Sequence, residues 1–287
     1  DVVRSLTEDR DGRIWAATMG GVSCFDGGFL NFSTDDGLVN NQITDVFEDA
    51  AGDLWFGSFG GVSQYSKSFI SITAEDGLAG NDLRAILCAR DGRMWFGTLG
   101  GLTSFDGDGL SNYDEEDGLP HHRVFAVLQD RASRLWVGTQ AGLALLDGDR
   151  FQAFTTAHGL VQDRVYCLFE DVAGALWLGT EGGVSCRDPK TGTFRNWTTA
   201  DGLAGDDTNS ICQDRAGRMW LGSESGLSCW DGESFHIYTV DQGGLPSNHV
   251  HSVVSDDEGG VWAATSDGVW HWQEDTVRVY TSADGLA

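Results

Sequence analysis

Residues 54–58, Leu-Trp-Phe-Gly-Ser, are one of seven copies of a motif in which a small residue, Gly or Ala, stands two positions after Trp and is followed by Ser or Thr. The seven Trp residues are successively 40, 40, 41, 41, 43 and 42 positions apart. A second marker, Gly-Leu, recurs at the same period, with its glycines at Gly37, Gly77, Gly118, Gly159, Gly202, Gly244 and Gly285. Two independent markers with one period indicate seven internal repeats of about forty residues.

Each repeat predicts four short strands, and the second copy shows them most clearly. Strands are expected at 43–48, 54–58, 62–65 and 69–73, separated by turns rich in Gly or Asp. No stretch of ten or more residues has the period of an amphipathic helix. Four antiparallel strands at this period are typical of a propeller blade, and such blades stack because a lone sheet cannot bury both faces.

The fold is therefore predicted as all-β: a seven-bladed β-propeller with four antiparallel strands per blade, in one domain over residues 1–287. The blades are expected at approximately 1–39, 40–79, 80–119, 120–160, 161–203, 204–245 and 246–287. The repeated indoles are expected to lie between blades as the main structural side chains: Trp15, Trp55, Trp95, Trp136, Trp177, Trp220 and Trp262. A solenoid is the competing architecture, but it needs polar caps, and the first and last repeats keep the full motif.

The charge of the chain limits its partners. Eighteen basic and 44 acidic side chains give a formal net charge of -26, a field that repels phosphate backbones and anionic membranes. We therefore expect no nucleic-acid partner and no membrane contact by this segment. No apolar run approaches the roughly 20 residues of a membrane helix. Since the sequence opens with Asp1 rather than Met, a processed or excised piece of a longer chain is expected.

Six cysteines are present, and three of them occupy the same repeat position: Cys24, Cys186 and Cys229. They fall on different blades, and no Cys-x-x-Cys spacing suggests zinc. We interpret all six as small buried hydrophobic residues.

The repeat resembles a known family. The pattern Glu48-Asp49-x-x-Gly52-x-Leu54-Trp55-x-Gly57-Ser58-x-x-Gly61-Val62, followed by Gly77-Leu78, is similar to the two-component regulator propeller repeat. This resemblance extends over all seven copies, although Ala89 and Ser133 depart from the pattern. It implies the sensor region of a bacterial hybrid histidine kinase, periplasmic or extracellular, within a larger receptor chain.

A search for chemistry finds no nucleophile elbow, P-loop, His-Glu-x-x-His or EF-hand loop, so no catalytic residue, metal or cofactor is predicted. The recurring Asp-Gly pairs are interpreted as turns rather than calcium ligands. Two histidine pairs, His121 with His122 and His249 with His251, have metal-binding residue types. Only two ligands are visible in each, and solvent-exposed loops are the alternative interpretation.

Two variable positions of the repeat are expected to share one face, around the mouth of the central channel. They lie four residues after Trp and eleven before it. With the neighbouring His249, residues at these positions give the candidate ligand-binding set Arg4, Met19, Phe59, Arg84, Phe125, Gln140, Tyr166, Glu181, Asn209, Glu224, His249 and His251. An arginine can grip a carboxylate or sulfate, and Phe125 or Tyr166 can stack on a sugar ring. An unselected loop surface is the alternative.

Three functions remain open on these residues. The first is a ligand-binding or sensor propeller for signal transduction, with an unknown small ligand or protein partner at the channel-mouth face. The second is a protein-interaction scaffold without a small ligand. The third is a propeller hydrolase or lyase that uses His121, His249, Glu181 and Glu224 as acid–base groups, and it ranks last because no spacing brings them together.

Overall fold

The computed structural model describes residues 3–49, 51–256, 258–274 and 276–281. It contains seven four-stranded antiparallel sheets, and the strand order in each sheet follows the chain. The chain is thus a seven-bladed β-propeller with four antiparallel strands per blade, which confirms the fold class predicted from the repeat. Among the described residues, no helix has the length and apolar character needed to span a membrane.

The strands are numbered along the chain, four to a blade. The first two blades contain β1 (Val3–Glu8), β2 (Ile14–Thr18), β3 (Gly21–Phe25), β4 (Phe29–Phe32), β5 (Ile43–Glu48), β6 (Leu54–Ser58), β7 (Gly61–Tyr65) and β8 (Phe69–Ile72). The third and fourth contain β9 (Leu83–Cys88), β10 (Met94–Thr98), β11 (Gly101–Phe105), β12 (Leu110–Tyr113), β13 (Val124–Gln129), β14 (Leu135–Thr139), β15 (Gly142–Asp147) and β16 (Arg150–Phe154). The last three contain β17 (Val165–Glu170), β18 (Leu176–Thr180), β19 (Gly183–Arg187), β20 (Phe194–Trp197), β21 (Thr208–Gln213), β22 (Met219–Ser223), β23 (Gly226–Trp230), β24 (Phe235–Tyr238), β25 (Val250–Ser255), β26 (Val261–Thr265), β27 (Gly268–Gln273) and β28 (Thr276–Tyr280).

These strands belong to two compact units. The first unit runs to residue 140 and adds 144–152, so it holds three blades and most of the fourth. The second unit comprises 141–143 and the residues from 153 onward, and it holds the last three blades. The expectation of a single domain stays a prediction. Within each unit the first strands of successive blades contact one another, so the first strand of a blade is the inner one.

The repeated Trp packs against the next blade within each unit, as the sequence predicts. The ring centroids of Trp15 and Phe56 are 5.8 Å apart, and those of Trp55 and Phe96 are 5.6 Å apart. Both indoles are buried, and burial of one indole stabilises the fold by at most roughly 4–6 kcal/mol. Trp262 is half-buried and stacks on His271 of its own blade, with ring centroids 3.8 Å apart.

An aspartate of the turn holds the indole N–H in six of the seven blades; it is buried in four of them and half-buried in the second and seventh. In the first blade, Nε1 of Trp15 donates to the Asp9 carboxylate at 2.7 Å. The backbone N–H groups of Asp11 and Arg13 donate to the same carboxylate, as expected for an Asp that closes a turn. The corresponding acceptors in the other blades are Asp49, Asp130, Asp171, Asp214 and Asp256. The Asp of the repeat therefore fixes both the turn and the rotamer of the Trp.

The Gly-Leu marker lies where the chain crosses from one blade to the next. Each of the first five crossings contains a single 3₁₀ turn: Thr34–Asp36, Ala74–Asp76, Glu115–Asp117, Thr156–His158 and Thr199–Asp201. In the second crossing, the Asp76 carboxylate accepts the N–H of Thr73, which completes a capping box. Gly77 then has φ of 111°, a conformation that glycine adopts without steric cost. The marker is thus a helix-termination signal.

No disulfide joins the six cysteines, all of which lie in the described residues. Cys24, Cys212 and Cys229 are buried as predicted, whereas Cys88, Cys167 and Cys186 are only half-buried. Cys24 and Cys229 are buried on the third strand of their blades, each directly across from the repeated Trp. Burial raises the pKa of Cys167 and Cys212 to about 12, so these thiols stay protonated at neutral pH.

Candidate functional site

One end of every blade carries both sequence-predicted variable positions. The residue four after Trp lies in the turn between the second and third strands. In the third, fourth, fifth and seventh blades its backbone N–H donates to the carbonyl of the residue just before the first strand. The N–H of Gln140 donates to the carbonyl of Arg123 at 3.0 Å, and the N–H of Glu181 donates to that of Arg164 at 3.2 Å. The chain also crosses between blades at this end, so we call it the crossing face.

In the first unit, two arginines lie over one phenyl ring on the crossing face. The guanidinium carbons of Arg4 and Arg84 are 5.5 and 5.1 Å from the centroid of Phe59. Nε of Arg4 also donates to the sulfur of Met19 at 3.2 Å, and Nη2 of Arg84 is 3.7 Å from a carboxylate oxygen of Asp82. The structure therefore brings four of the predicted residues, from three blades, into one cluster, here called the Arg-Phe cluster. Both arginines are exposed, so their remaining N–H donors face solvent.

The fourth blade contributes Phe125 and Gln140 to the crossing face, and both side chains are half-buried. Two residues before Phe125, the carbonyl of Arg123 anchors the turn that contains Gln140. An aromatic and an amide side chain are thus held at one blade end, as the sequence predicts.

In the second unit, an unpredicted arginine organises the crossing face. Nη1 of Arg164 lies 2.7 Å from a carboxylate oxygen of Glu181 and 3.4 Å from the hydroxyl of Tyr166. The hydrogen bond with Tyr166 and the nearby carboxylates raise the pKa of Arg164. Glu181 is therefore held in an ion pair with Arg164.

A cluster of carboxylates lies on the sixth blade beside this ion pair. Burial raises the pKa of Asp207, and the negative charges of Glu224, Glu181 and Asp206 raise it further. The repulsion indicates that this part of the crossing face is acidic, as predicted from Glu181 and Glu224. Asn209 lies half-buried at the start of the same blade.

The seventh blade places its two histidines side by side. The ring centroids of His249 and His251 are 4.4 Å apart, and Nε2 of His251 is 3.1 Å from the hydroxyl of Ser266 in the turn of the same blade. Both histidines thus lie on the crossing face.

The other histidine pair has a carboxylate beside it. Nδ1 of His122 is 2.8 Å from Oε1 of Glu115, and the rings of His121 and His122 have centroids 4.2 Å apart. Burial lowers the pKa of His121, and the neighbouring His122 lowers it further. The sequence alone does not identify Glu115 as a neighbour of these histidines. It belongs to the preceding 3₁₀ turn, whereas the histidines lie in the segment just before β13.

A third variable position of the repeat explains the other missed residues. Arg164 and Asp207 lie thirteen residues before the Trp, as do Asp82, Arg123 and His249. Because the turn of the blade hydrogen-bonds to the backbone at this position, its side chain also reaches the crossing face. Variation at a third fixed distance from the Trp is therefore the sequence signal that identifies them.

Comparison with known proteins places these blades in a family context. A sequence profile described as two component regulator propeller matches the chain at residues 1–20, 37–60, 77–100, 118–141, 159–182, 202–225 and 244–267. A search of curated protein sequences finds no match.

Solved structures share the fold. The extracellular domain of a hybrid two-component system from B. thetaiotaomicron is 24% identical, with 96% of this chain and 39% of that chain covered and a TM-score of 0.80. The extracellular domain of a one-component system from the same organism is 23% identical, with 97% and 43% covered and a TM-score of 0.64. This chain thus spans less than half the length of either.

A streptogramin B lyase structure is also similar, at 15% identity, 97% and 93% coverage and a TM-score of 0.71. At such identities the likeness shows the fold and carries no activity with it.

Proposed function

We propose that this chain, which belongs to the two component regulator propeller family, is the ligand-sensing propeller of a larger bacterial receptor and works outside the cytoplasm. Two of the similar solved structures are extracellular domains of a hybrid two-component and a one-component system, and this chain covers only part of each. These relationships support a periplasmic or extracellular location and a place within a longer signal-transduction protein.

The Arg-Phe cluster is the observation that supports ligand binding most directly. The chain has a net charge of -26, yet Arg4 and Arg84 present two guanidinium groups over one ring. The acidic contact that the described residues show for this cluster, Asp82 at 3.7 Å from Arg84, is a solvent-exposed pair and therefore weak.

The chemistry of the cluster suggests the class of ligand. A guanidinium donates two parallel hydrogen bonds to a carboxylate or sulfate, and the face of Phe59 accepts an apolar or sugar ring. We therefore propose a small organic anion whose acidic group lies between the arginines and whose ring lies against Phe59.

Calorimetric titration with carboxylated and sulfated saccharides, with their neutral counterparts alongside, tests this proposal. An acidic ligand should bind the unmodified chain, and Arg84→Ala or Arg4→Ala should weaken its binding by roughly tenfold or more, the loss of about 1.5–3 kcal/mol for a charged hydrogen bond. Phe59→Leu should weaken it less, because an apolar surface remains.

Arg195→Ala is the matched control. Arg195 also lies over an aromatic ring, 4.6 Å from the centroid of Trp197, but it is on the outer strand β20. A ligand that binds the Arg84→Ala chain as tightly as the unmodified chain would remove the Arg-Phe cluster from the site. Failure of every acidic ligand to bind would count against anion sensing as a whole.

An exposed apolar strand favours a protein-interaction scaffold as the second candidate. On β4, the outer strand of the first blade, Phe29 is 74% and Leu30 59% exposed. Phe25 on the adjacent strand is also exposed, with its ring centroid 5.0 Å from that of Phe29. Exposed apolar strand edges are sites where other chains add. Such a partner would bind independently of Arg84, so the same variants separate the two functions.

A further inference from the structure

We infer that Glu115, His121 and His122 form a binding site for a divalent transition-metal ion of the Zn²⁺ type. Each residue offers one ligand atom, and these three atoms all lie within 4.8 Å of one another. The inference depends on these residues alone and goes beyond the sensing of an organic anion.

The three side chains are held in place without a metal. Glu115 begins the 3₁₀ turn Glu115–Asp117, and its Oε1 accepts the backbone N–H of His122 at 2.9 Å as well as contacting Nδ1 of the same residue. Nδ1 of His121 accepts the backbone N–H of Arg123 at 3.0 Å, so this nitrogen is unprotonated and its lone pair is occupied by that hydrogen bond. A metal ion would replace the proton between His122 and Glu115. At His121 it would compete with the backbone N–H of Arg123 for the ring nitrogen.

The donor set selects the class of metal. Two imidazoles and one carboxylate are a ligand set of catalytic and regulatory zinc sites, in which water or a bound molecule occupies the fourth position. Mg²⁺ and Ca²⁺ prefer oxygen ligands throughout, so two imidazoles disfavour them. No thiol takes part, which distinguishes the site from structural zinc clusters.

The surroundings attract a cation. Asp114, Glu116 and Asp117 flank Glu115 in the same crossing, and the whole chain carries a charge of -26. Two of these carboxylates already cap the turn: Asp114 accepts the N–H of Glu116, and Asp117 accepts that of Asp114. They therefore supply negative potential at the site without being needed as ligands.

The site belongs to the crossing face of the fourth blade. The carbonyl of Arg123, next in the chain after His122, accepts the N–H of Gln140. A metal ion bound here would therefore lie at the blade end that presents Phe125 and Gln140, with its open coordination position available to a ligand.

Titration of the whole chain with Co²⁺, followed by its visible absorption, and with Zn²⁺ by calorimetry tests the inference. One equivalent of metal should bind, and Co²⁺ should give the intense absorption of a four-coordinate site. His121→Ala, His122→Ala and Glu115→Gln should each weaken binding by at least the roughly 10- to 100-fold that loss of even a supporting group costs. Glu115→Gln keeps the size and a carbonyl acceptor, and thermal unfolding without metal confirms that each variant folds.

The second histidine pair supplies the matched control. The ring centroids of His249 and His251 are 4.4 Å apart, close to the 4.2 Å of the first pair, but within the part of the chain that the structure describes no third ligand joins them. His249→Ala and His251→Ala should leave metal binding unchanged, and so should Arg84→Ala, which separates this site from the proposed anion site. Absence of stoichiometric binding would overturn the inference, as would equal binding by the His121→Ala/His122→Ala chain.

Discussion

At the scale of single residues, the bond between the turn aspartate and the indole N–H distinguishes one blade from the other six. Ala89 takes the place of the aspartate in the third blade, yet its backbone N–H still donates to the carbonyl of Arg93 at 2.8 Å, as Asp9 does to Arg13 at 2.9 Å. The guanidinium carbon of Arg93 is 6.0 Å from the ring centroid of Trp95, close to the 5.9 Å between that of Arg13 and the ring centroid of Trp15. The third blade therefore keeps the geometry of the motif without its acceptor.

Ala89→Asp should stabilise the chain by about 1–2 kcal/mol, because the new carboxylate would accept the indole N–H of Trp95 and lie near Arg93. Urea unfolding at pH 7 measures the gain. Ala89→Asn is the control, since it adds an acceptor without charge and should give a smaller increase. A lower free energy of unfolding for Ala89→Asp would mean that the buried carboxylate finds no partner there.

Single residues also mark the limit of prediction from sequence. The seven indoles and the positions four after and eleven before Trp were found because each recurs at a fixed distance. The role of Asp9 as the indole acceptor was missed, because an Asp six residues before a Trp also fits an ordinary turn. The contact of Glu115 with His122 was missed as well, since it depends on how the crossing folds back.

At the scale of the strand, the small residue two after Trp permits close approach of the next blade. A Cβ atom built on Gly97 would lie 2.7 Å from Cγ1 of Val124 on β13, and one on Gly222 would lie 2.8 Å from Cγ1 of Val250 on β25. Real Cβ atoms do not approach so closely. In the first blade the same position is Ala17, which is fully buried. The second strand of one blade and the inner strand of the next thus lie so close that a Cβ atom would overlap its neighbours in four copies, at Gly57, Gly97, Gly179 and Gly222.

Gly97→Ala should destabilise the chain by about 1–3 kcal/mol through overpacking against Val124. Chemical denaturation of the single variants and of Gly97→Ala/Val124→Ala measures it, and the double variant should lose less than the sum of the two single changes. Ala17→Gly serves as the reference, with an expected cost of about 0.5–1 kcal/mol from backbone entropy and lost contact. Additive losses in the double variant would argue against steric contact.

At the scale of the whole molecule, nearly everything that the sequence predicts about the fold comes from the repeat. Period, strand number and turn positions follow from local patterns that are copied seven times. Which side chains meet on the crossing face depends on differences between copies, such as Arg4, Phe59 and Arg84 on three successive blades. Such differences have no period, so the sequence indicates the face but not the contacts on it.

The turn aspartates also determine how the whole molecule responds to acid. Burial alone would raise the pKa values of Asp9, Asp130 and Asp256, but hydrogen bonds led by the indole N–H lower all three below the usual value. A lowered carboxyl pKa stabilises the fold above the unfolded value of about 3.9, and the contribution is lost as pH falls through the folded value.

The melting temperature should therefore change little between pH 7 and 5 and should fall steeply below about pH 4. Asp130→Asn should cost about 1–3 kcal/mol at pH 7, and this cost should shrink as the pH falls below about 3.9 and through the lowered pKa of Asp130, where the native carboxylate becomes protonated. A constant difference between the two chains across this range would show that the charge of Asp130 contributes nothing.

Hydrogen bonds between the crossings and the hydroxyl groups of the following blade, here called hydroxyl anchors, suggest how such a repeat can multiply. In four crossings, a backbone N–H donates to the side-chain hydroxyl of a Ser or Thr that lies 24 residues later in the chain. The pairs are Val39 with Ser63, Ala79 with Thr103, Val161 with Ser185, and Ala204 with Ser228. A gene segment cut at successive crossings therefore encodes its own cap and its own anchor. Tandem duplication of such a segment would copy the cap and the anchor together, so an added blade would bring with it the hydroxyl that its own crossing needs.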